Sequence, residues 1–543
     1  MPSSELTTES TASPLVPLTE LVSWLMSTTL HILIGLALGM LVARLMRHRH
    51  LRWTWALAAF VLFLPAHSVL EGWALTLDTA TLCAAVRGRH WHCEDQLAGG
   101  DLAEIAAARR GPLTTGRKLA SIVFKGFGSA PAIALRHERM SVGRTDGYEQ
   151  VSIPFGANDG GRHTLIVGAT GSGKTVTETW IATRAVEAGL AAVVLDPKGD
   201  ARMREQLAQA AHASGRPYLE WTPRGPSVYN PLGHGAASEI ADKALAGEHF
   251  TEPHYQRQAQ RYLGHAVRAL RGAGEVVSLR ALVQLLDPSI LEAFSRELPE
   301  QQCRVISDYL ASLMPRARSD LSGVRDRLAI MAESDVGPWL DPATPGARTF
   351  ELLGAIQQRA VVYFALEADA WPLLAHMLGV AIVQDLQTTM AALQGAPVPT
   401  VVVIDEFASI AAEQVAHLFG RARSAGINLL LGTQELSDLR LPGRRQLLEQ
   451  VLGNLSCLIA HRQVVPESAE LIARLGGSRG VWRTSRSEDG RWTRVRSSAA
   501  QLPPEEVRGL SPGWAAAIEL GGAPPKVMQV FSSVAPESRK PFA

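Results

Sequence analysis

Cysteine is scarce in this sequence: Cys83, Cys93, Cys303 and Cys457 are the only four among 543 residues. So few and so scattered, they make no disulfide framework, which excludes the small secreted class. A surplus of charge is also lacking, with 53 Lys and Arg against 52 Asp and Glu and a net charge of +1. There is no global basic field, so any contact with nucleic acid must rest on local patches or on the lining of a pore. Charged residues make up only 19% of the chain and hydrophobic ones 46%, which excludes an intrinsically disordered chain and supplies a large core. Internal repeats and low-complexity tracts are absent. The length favours two to four domains.

The first twenty residues hold Glu5, Glu9 and Glu20 but no Lys or Arg, unlike the basic start of a signal peptide. Leu21 to Ala43 then runs without a charge, about the length a helix needs to cross a bilayer. A second apolar stretch, Trp53 to Leu70, follows a short link containing Arg44, Arg47, Arg49 and Arg52. Gly35 and Gly39 form a GxxxG pair of the kind that lets membrane helices approach closely, although glycine is common in such helices anyway. Topology is in tension with charge. A basic link belongs on the cytoplasmic side, and a second helix running outward from it would carry the rest of the chain out of the cytoplasm. A violated charge rule, a single true span, or a third pass over Gly72 to Val86, against which Glu71 and Asp78 count, would each relieve that tension. Cys83, His90, His92 and Cys93 fit no zinc-site spacing and read as free thiols and interfacial histidines.

The strongest local signal is HTLIVGATGSGKTVTETW. Thr164 to Val167 reads as a buried strand, and a helical pattern begins at Lys174. Between them Gly168, Ala169, Thr170, Gly171, Ser172, Gly173, Lys174 and Thr175 match G-x-x-x-x-G-K-[ST] in full. In this pattern glycines let backbone N–H groups turn inward around phosphates at a helix N-terminus. Lys174 reaches the β- and γ-phosphates of ATP, and the Thr175 hydroxyl binds Mg²⁺. The partner motif is the strand Val401 to Ile404 ending in Asp405 and Glu406. An acidic pair at the carboxyl end of a parallel strand sits at the rim where ligands bind; Asp405 would hold Mg²⁺ through water and Glu406 would polarise the attacking water. Further strands are expected over Ala191 to Leu195, Val361 to Leu366 and Asn428 to Leu431, the last followed by Gln434, a candidate γ-phosphate sensor. Alternation of strands with helical stretches predicts a doubly wound, mostly parallel α/β sheet of the P-loop, RecA-like kind. Leu321-Ser322-Gly323 imitates an ABC-transporter signature but precedes Asp405 by too many residues to be one.

Taken together, GATGSGKT, LDPKGD (Leu195 to Asp200), YNPLG (Tyr229 to Gly233), VVVIDEF, RARSAGINLLLGTQ (Arg421 to Gln434), VLGNLSCLIAHR and ESAELIARLGG resemble the TraD/TraG group of type IV coupling proteins. These are similar in turn to the FtsK/HerA translocases. The resemblance spans roughly residues 135 to 532 and implies a membrane-anchored ring ATPase, a hexamer, in the bacterial inner membrane with its motor in the cytoplasm. It implies as partners single-stranded DNA with its relaxase and the components of a type IV secretion channel. By the same resemblance Arg423, or else Arg421, is the arginine presented to the neighbouring subunit's ATP. A DNA translocase unconnected with conjugation, a protein-export ATPase that handles no DNA, and a nucleotide-dependent scaffold are the other readings; an acid in Glu406's position argues against the scaffold.

The expected organisation is a polar tail (1–20), an anchor (21–86), a linker with a hairpin turning at Thr145-Asp146-Gly147 (87–160), a motor (161–235 and 336–532), an all-α insert (236–335) and a C-terminal tail (533–543). The insert's Arg316, Arg318, Arg325 and Arg327 suit contact with a phosphate backbone, but Asp308, Asp320 and Asp326 among them favour an ordinary solvated helix face. A second hairpin is expected from Val481–Arg486 and Arg491–Arg496. Its Trp482, Trp492 and arginines suit either a grip on single strands or a charged sheet edge.

Overall fold

The computed structural model describes residues 16–49, 51–63, 73–98, 135–136, 138–158, 160–246, 250, 252–410, 412–440, 447–486 and 492–532. The chain divides into two compact units, Met1–Gly128 with Arg479–Ala499, and Ser129–Ser478 with Ala500–Ala543.

The first unit holds helices α1 (Val16–His48), α2 (Thr54–Phe63) and α3 (Ala74–Ala98). Among the described helices only Glu20–Arg47 is long and apolar enough by composition to cross a membrane. α1 is longer than the charge-free run because helical hydrogen bonding carries on past its charged ends. The second apolar stretch is helical from Thr54 to Phe63, and its continuation to Leu70 falls outside the described residues. Cys83, His90, His92 and Cys93 all lie on α3, and the side chains of the last two fall outside the described residues. Ser478–Arg486 pairs with Trp492–Ala500 as an isolated two-stranded sheet, with strands longer than the sequence suggests. The side chains of Arg483, Arg486, Arg491, Trp492 and Arg494 lie outside the described residues; Trp482 is half exposed.

The second unit is built on a twelve-stranded sheet. In spatial order its strands are Leu135–Arg136, Arg139–Arg144, Lys526–Val530, Trp514–Glu519, Cys457–Ala460, Thr164–Val167, Ile427–Thr433, Thr400–Ile404, Ala191–Asp196, Val361–Ala365 and Tyr218–Trp221. Gln150–Pro154 hangs from Arg139–Arg144 as the hairpin expected around Asp146. From Cys457 to Trp221 all neighbours are parallel, and beyond Cys457 they are antiparallel.

The parallel strands read as unbroken apolar runs because helices cover both faces. Val193, Leu195, Val402, Ile404, Leu429 and Leu431 enter one core. Their alternates Ala192, Val194, Val401, Val403 and Leu430 enter another. The period of two along each strand thus divides one sequence between two buried layers.

Six helices from Ala237–Leu245 to Pro315–Ala332 form the insert and share the first core through Tyr262, Leu263 and Leu328. The start signals are local: Ser278 and Asp287 accept backbone N–H bonds from Ala281 and Ser289, and Pro253, Pro288 and Pro315 open their helices. The insert arginines are engaged within their own domain. Arg316 donates to the Tyr255 hydroxyl, Arg318 to the Leu310 carbonyl, Arg325 approaches Asp287 and Asp326, and Arg327 lies over the Phe250 ring.

The YNPLG segment has an architectural explanation. Tyr229 donates its hydroxyl to Asp385 Oδ2 (2.7 Å), and Lys243 Nζ donates to Asp385 Oδ1 (2.6 Å) and to the Pro231 and His234 carbonyls. Asn230 ties in Val277 and Leu232. Lys243 and Asp385 are both fully buried, joining the first insert helix to the long helix Pro372–Ala392. Asp385→Ala should lower the unfolding free energy by about 3–5 kcal/mol, since it strands a buried ammonium. Denaturant unfolding reads this, and a loss under about 1 kcal/mol would show the pair to be dispensable.

Candidate nucleotide-binding site

The loop Gly168–Thr175 leaves the sheet at the carboxyl end of Thr164–Val167, and a fourteen-residue helix begins at Lys174. Gly171 (φ 74°) and Gly173 (φ 112°) take left-handed backbone, a conformation that costs a side chain strain but costs glycine little. A Cβ at Gly171 would meet nothing within 4 Å, so the mouth of the loop is open. Its base is fastened to neighbouring strands: Gly168 N donates to Thr433 O, Ala169 N to Arg462 O, and Gly513 N to Ser172 O.

One strand, Ile427–Thr433, separates the loop's strand from Thr400–Ile404, and all three run parallel. Asp405 and Glu406 therefore emerge at the same rim as the loop. Lys174 Nζ donates to Asp405 Oδ1 and stands 3.5 Å from Glu406 Oε2 and 3.9 Å from Glu178 Oε1. Burial pulls the Lys174 ammonium's pKa down, but Glu178, Asp405 and Glu406 more than offset it, so the net shift is upward and the group stays charged. Glu406 has φ 49°, a left-handed backbone rarely accepted by residues with a Cβ, and strain of this kind concentrates at functional sites. Gln434 meets it twice: its N–H donates to Glu406 Oε1 (3.1 Å) and its side-chain amide to Oε2 (3.2 Å). Gln463 in turn donates to the Gln434 carbonyl. Thr175 opens the helix beside Lys174, half-buried.

Structure places Arg421 and Arg423 elsewhere. Both are exposed and precede Ile427, at the amino end of a strand whose carboxyl end faces the loop. Seven residues of strand span about 20 Å, so neither arginine serves its own chain's loop. The Arg423 stem packs on Gly161.

Two residues escaped the sequence reading. Glu178 is fully buried, neither carboxylate oxygen has a hydrogen-bond partner, and a Cβ at Gly432 would collide with it. Burial and then Asp405 push its carboxyl pKa well above the ordinary value. The available signal was an acid one helical turn past Lys174, on the same face of the helix. His461 lies under the loop: its Nε2 pairs with the Thr177 hydroxyl (2.9 Å) and its Nδ1 with the Trp514 carbonyl (3.1 Å), and a Cβ at Gly168 would come within 2.7 Å of its Cβ. Burial depresses the pKa of His461, and likewise of His163, to about 4. Both are neutral when folded but protonate near 6.5 when unfolded. Stability is therefore full above about pH 6.5 and falls as pH drops toward 4. Melting temperature measured from pH 7 to 4.5 should decline, less steeply in His461→Gln; equal slopes would remove His461 from the explanation.

Residues 399–512 match the family model described as the TraM recognition site of TraD and TraG, and residues 140–332 match the model of the central domain of the helicase HerA. Over these two stretches the chain is similar to TraD and TraG and to HerA. Among solved structures, the unbound conjugative coupling protein TrwB lacking its N-terminal segment superposes with a TM-score of 0.54 at 18% identity, covering 74% of this chain and 95% of that one. TrwB in complex with ADP and Mg²⁺ gives 0.53 at 18% identity, covering 76% and 92%. The complex with a non-hydrolysable ATP analogue gives 0.53 at 18%, with the same coverage. These likenesses establish the P-loop α/β fold that the chain shares with them. No curated protein matches the sequence.

Proposed function

We propose that the chain is an inner-membrane coupling ATPase that uses ATP hydrolysis to recruit a relaxase–single-stranded DNA complex and pump it into a type IV secretion channel. The motor is assigned to 161–235 and 336–532 and the all-α insert to 236–335. The observation that carries this reading is the meeting of Lys174 with Asp405 and Glu406 at the open mouth of a glycine loop.

The residues fit a magnesium nucleotide. The loop from Gly168 to Thr175 offers backbone N–H groups and a helix N-terminus to the phosphates. Lys174 exchanges its carboxylate partner for phosphate oxygens. Thr175 and Asp405 would hold Mg²⁺, which when bound neutralises charge on the β- and γ-phosphate oxygens. Glu406 orients the attacking water, and Gln434 reports the state of that site to the neighbouring strands through Gln463. Arg423, remote from its own loop, is assigned to the next subunit's nucleotide in a hexameric ring. The insert offers DNA an open cleft of about 470 Å³ lined by Arg257, Arg261, Arg316 and Tyr309.

ATP turnover by the full-length protein in detergent should rise on adding single-stranded DNA and vanish in Lys174→Ala. Turnover indifferent to DNA would refute pumping of DNA and favour protein export. In rings mixed with Lys174→Ala subunits, Arg423→Ala should depress turnover beyond simple dilution of parent subunits; additive loss would remove it from the neighbour's site.

A further inference from the structure

We propose that α3 is a third membrane-spanning helix, so that the residues before α1 lie outside the cell and the Arg-rich link and the motor lie inside. The partner for its outward face is the hydrocarbon of the bilayer. By composition α3 is too polar to qualify as a span; the proposal rests instead on depth. α1 carries the charge-free run Leu21 to Ala43, and Gly35 and Gly39 lie within it. A Cβ at Gly35 would approach Thr76 O at 2.8 Å and Thr79 Cβ at 2.7 Å, and one at Gly39 would approach Ala80 O at 2.5 Å and Cys83 Cβ at 2.7 Å. Cys83 Sγ also donates to Leu36 O across the same seam (3.7 Å). Whatever depth α1 occupies, α3 occupies too. Backbones this close require glycine, which gives the GxxxG pair its purpose.

Direction follows from the contacts. Trp73 stands beside His31, Thr79 beside Gly35, Cys83 beside Gly39 and Trp91 beside Arg47. The numbers rise together, so α1 and α3 are parallel. Trp53 lies against Gly88 and beneath Arg89, at the Trp91 end. A return pass between them suits the apolar sequence from Trp53 to Leu70, which is about the length of one crossing.

Surface chemistry agrees. From Trp73 to Trp91 a helix rises about 27 Å, close to the ~30 Å hydrocarbon core. Leu75, Leu82 and Val86 point outward, whereas Thr76, Ala80 and Ala84 are buried against the other helices. The Thr79 and Thr81 hydroxyls donate to the Leu75 and Leu77 carbonyls, so these two donors are paired within the helix. Asp78 is half-buried against the neighbouring helices rather than turned fully outward. At one end Arg47, Arg87 and Arg89 stack on Trp91 and Trp53, an aromatic and cationic girdle of the kind found at a membrane interface. Arg44, Arg49 and Arg52 belong to the same end. With three passes every one of these arginines is cytoplasmic, which removes the conflict between the basic link and the motor's need for ATP.

The test is cysteine accessibility in intact cells, with the full chain and its four cysteines changed to serine. With a membrane-impermeant maleimide, Ser4→Cys should be labelled directly, and Arg49→Cys and Glu205→Cys only after permeabilisation. Protection of Ser4→Cys, or direct labelling of Arg49→Cys, overturns the proposal. An N-terminal epitope on the chain with its native cysteines gives a second readout: external protease should remove it from spheroplasts, and its survival there also overturns the proposal.

Discussion

Glu406→Gln should bind ATP about as tightly as the parent and hydrolyse it at least about 100-fold more slowly, the usual scale for removing a general base. Glutamine keeps the size of the side chain and one carbonyl oxygen, so the contact from the Gln434 N–H can persist while the ability to take a proton from water is lost. The ion pair between Lys174 and Asp405 does not involve the exchanged group, so the cradle stays assembled. A fluorescent ATP analogue reads affinity and phosphate release reads turnover. Steady-state hydrolysis within a few-fold of the parent would take Glu406 out of the chemistry. Weakened binding with unchanged turnover would make it a structural acid.

Lys174→Ala should lose hydrolysis and most nucleotide affinity, and it should also cost stability. Lys174 is only 7% exposed and is the ammonium shared by Glu178, Asp405 and Glu406. Removing one partner from a buried ion pair costs about 3–5 kcal/mol. Glu178, whose carboxyl pKa burial already holds well above that of the unfolded chain, loses the ammonium that opposes the rise. The folded variant therefore binds more protons there and its deficit shrinks as pH falls from 7 toward 5. Parallel melting curves of parent and variant across that range test this. A gap that stays constant would mean that the carboxylates do not rely on Lys174, and normal turnover would remove the loop from ATP chemistry altogether.

Much of this site was legible because its chemistry is written in consecutive residues. Strand, glycine loop and helix occupy one short segment, and Asp405 and Glu406 end an apolar run, so local pattern alone puts both at the carboxyl rim. Glu178 was not legible in that way. Its role depends on Gly432, a distant residue whose missing side chain makes room for it. YNPLG was visible as a motif, but its reason is Asp385, 156 residues from Tyr229. Arg423 illustrates the opposite case, a residue suggested by resemblance that the fold sends to the far rim of its own sheet.

By itself the sequence determined the apolar N-terminal helix, the glycine loop, the acidic strand end and the alternation that makes a parallel sheet. Each is set by neighbours within a few residues through hydrogen bonding, backbone freedom or hydrophobic period. Only the tertiary structure decided which carboxylates share Lys174, which histidine supports the loop, and that α3 lies along α1. Those outcomes depend on close packing between segments far apart in the chain, where a missing Cβ or a buried charge acts only once the partner has arrived.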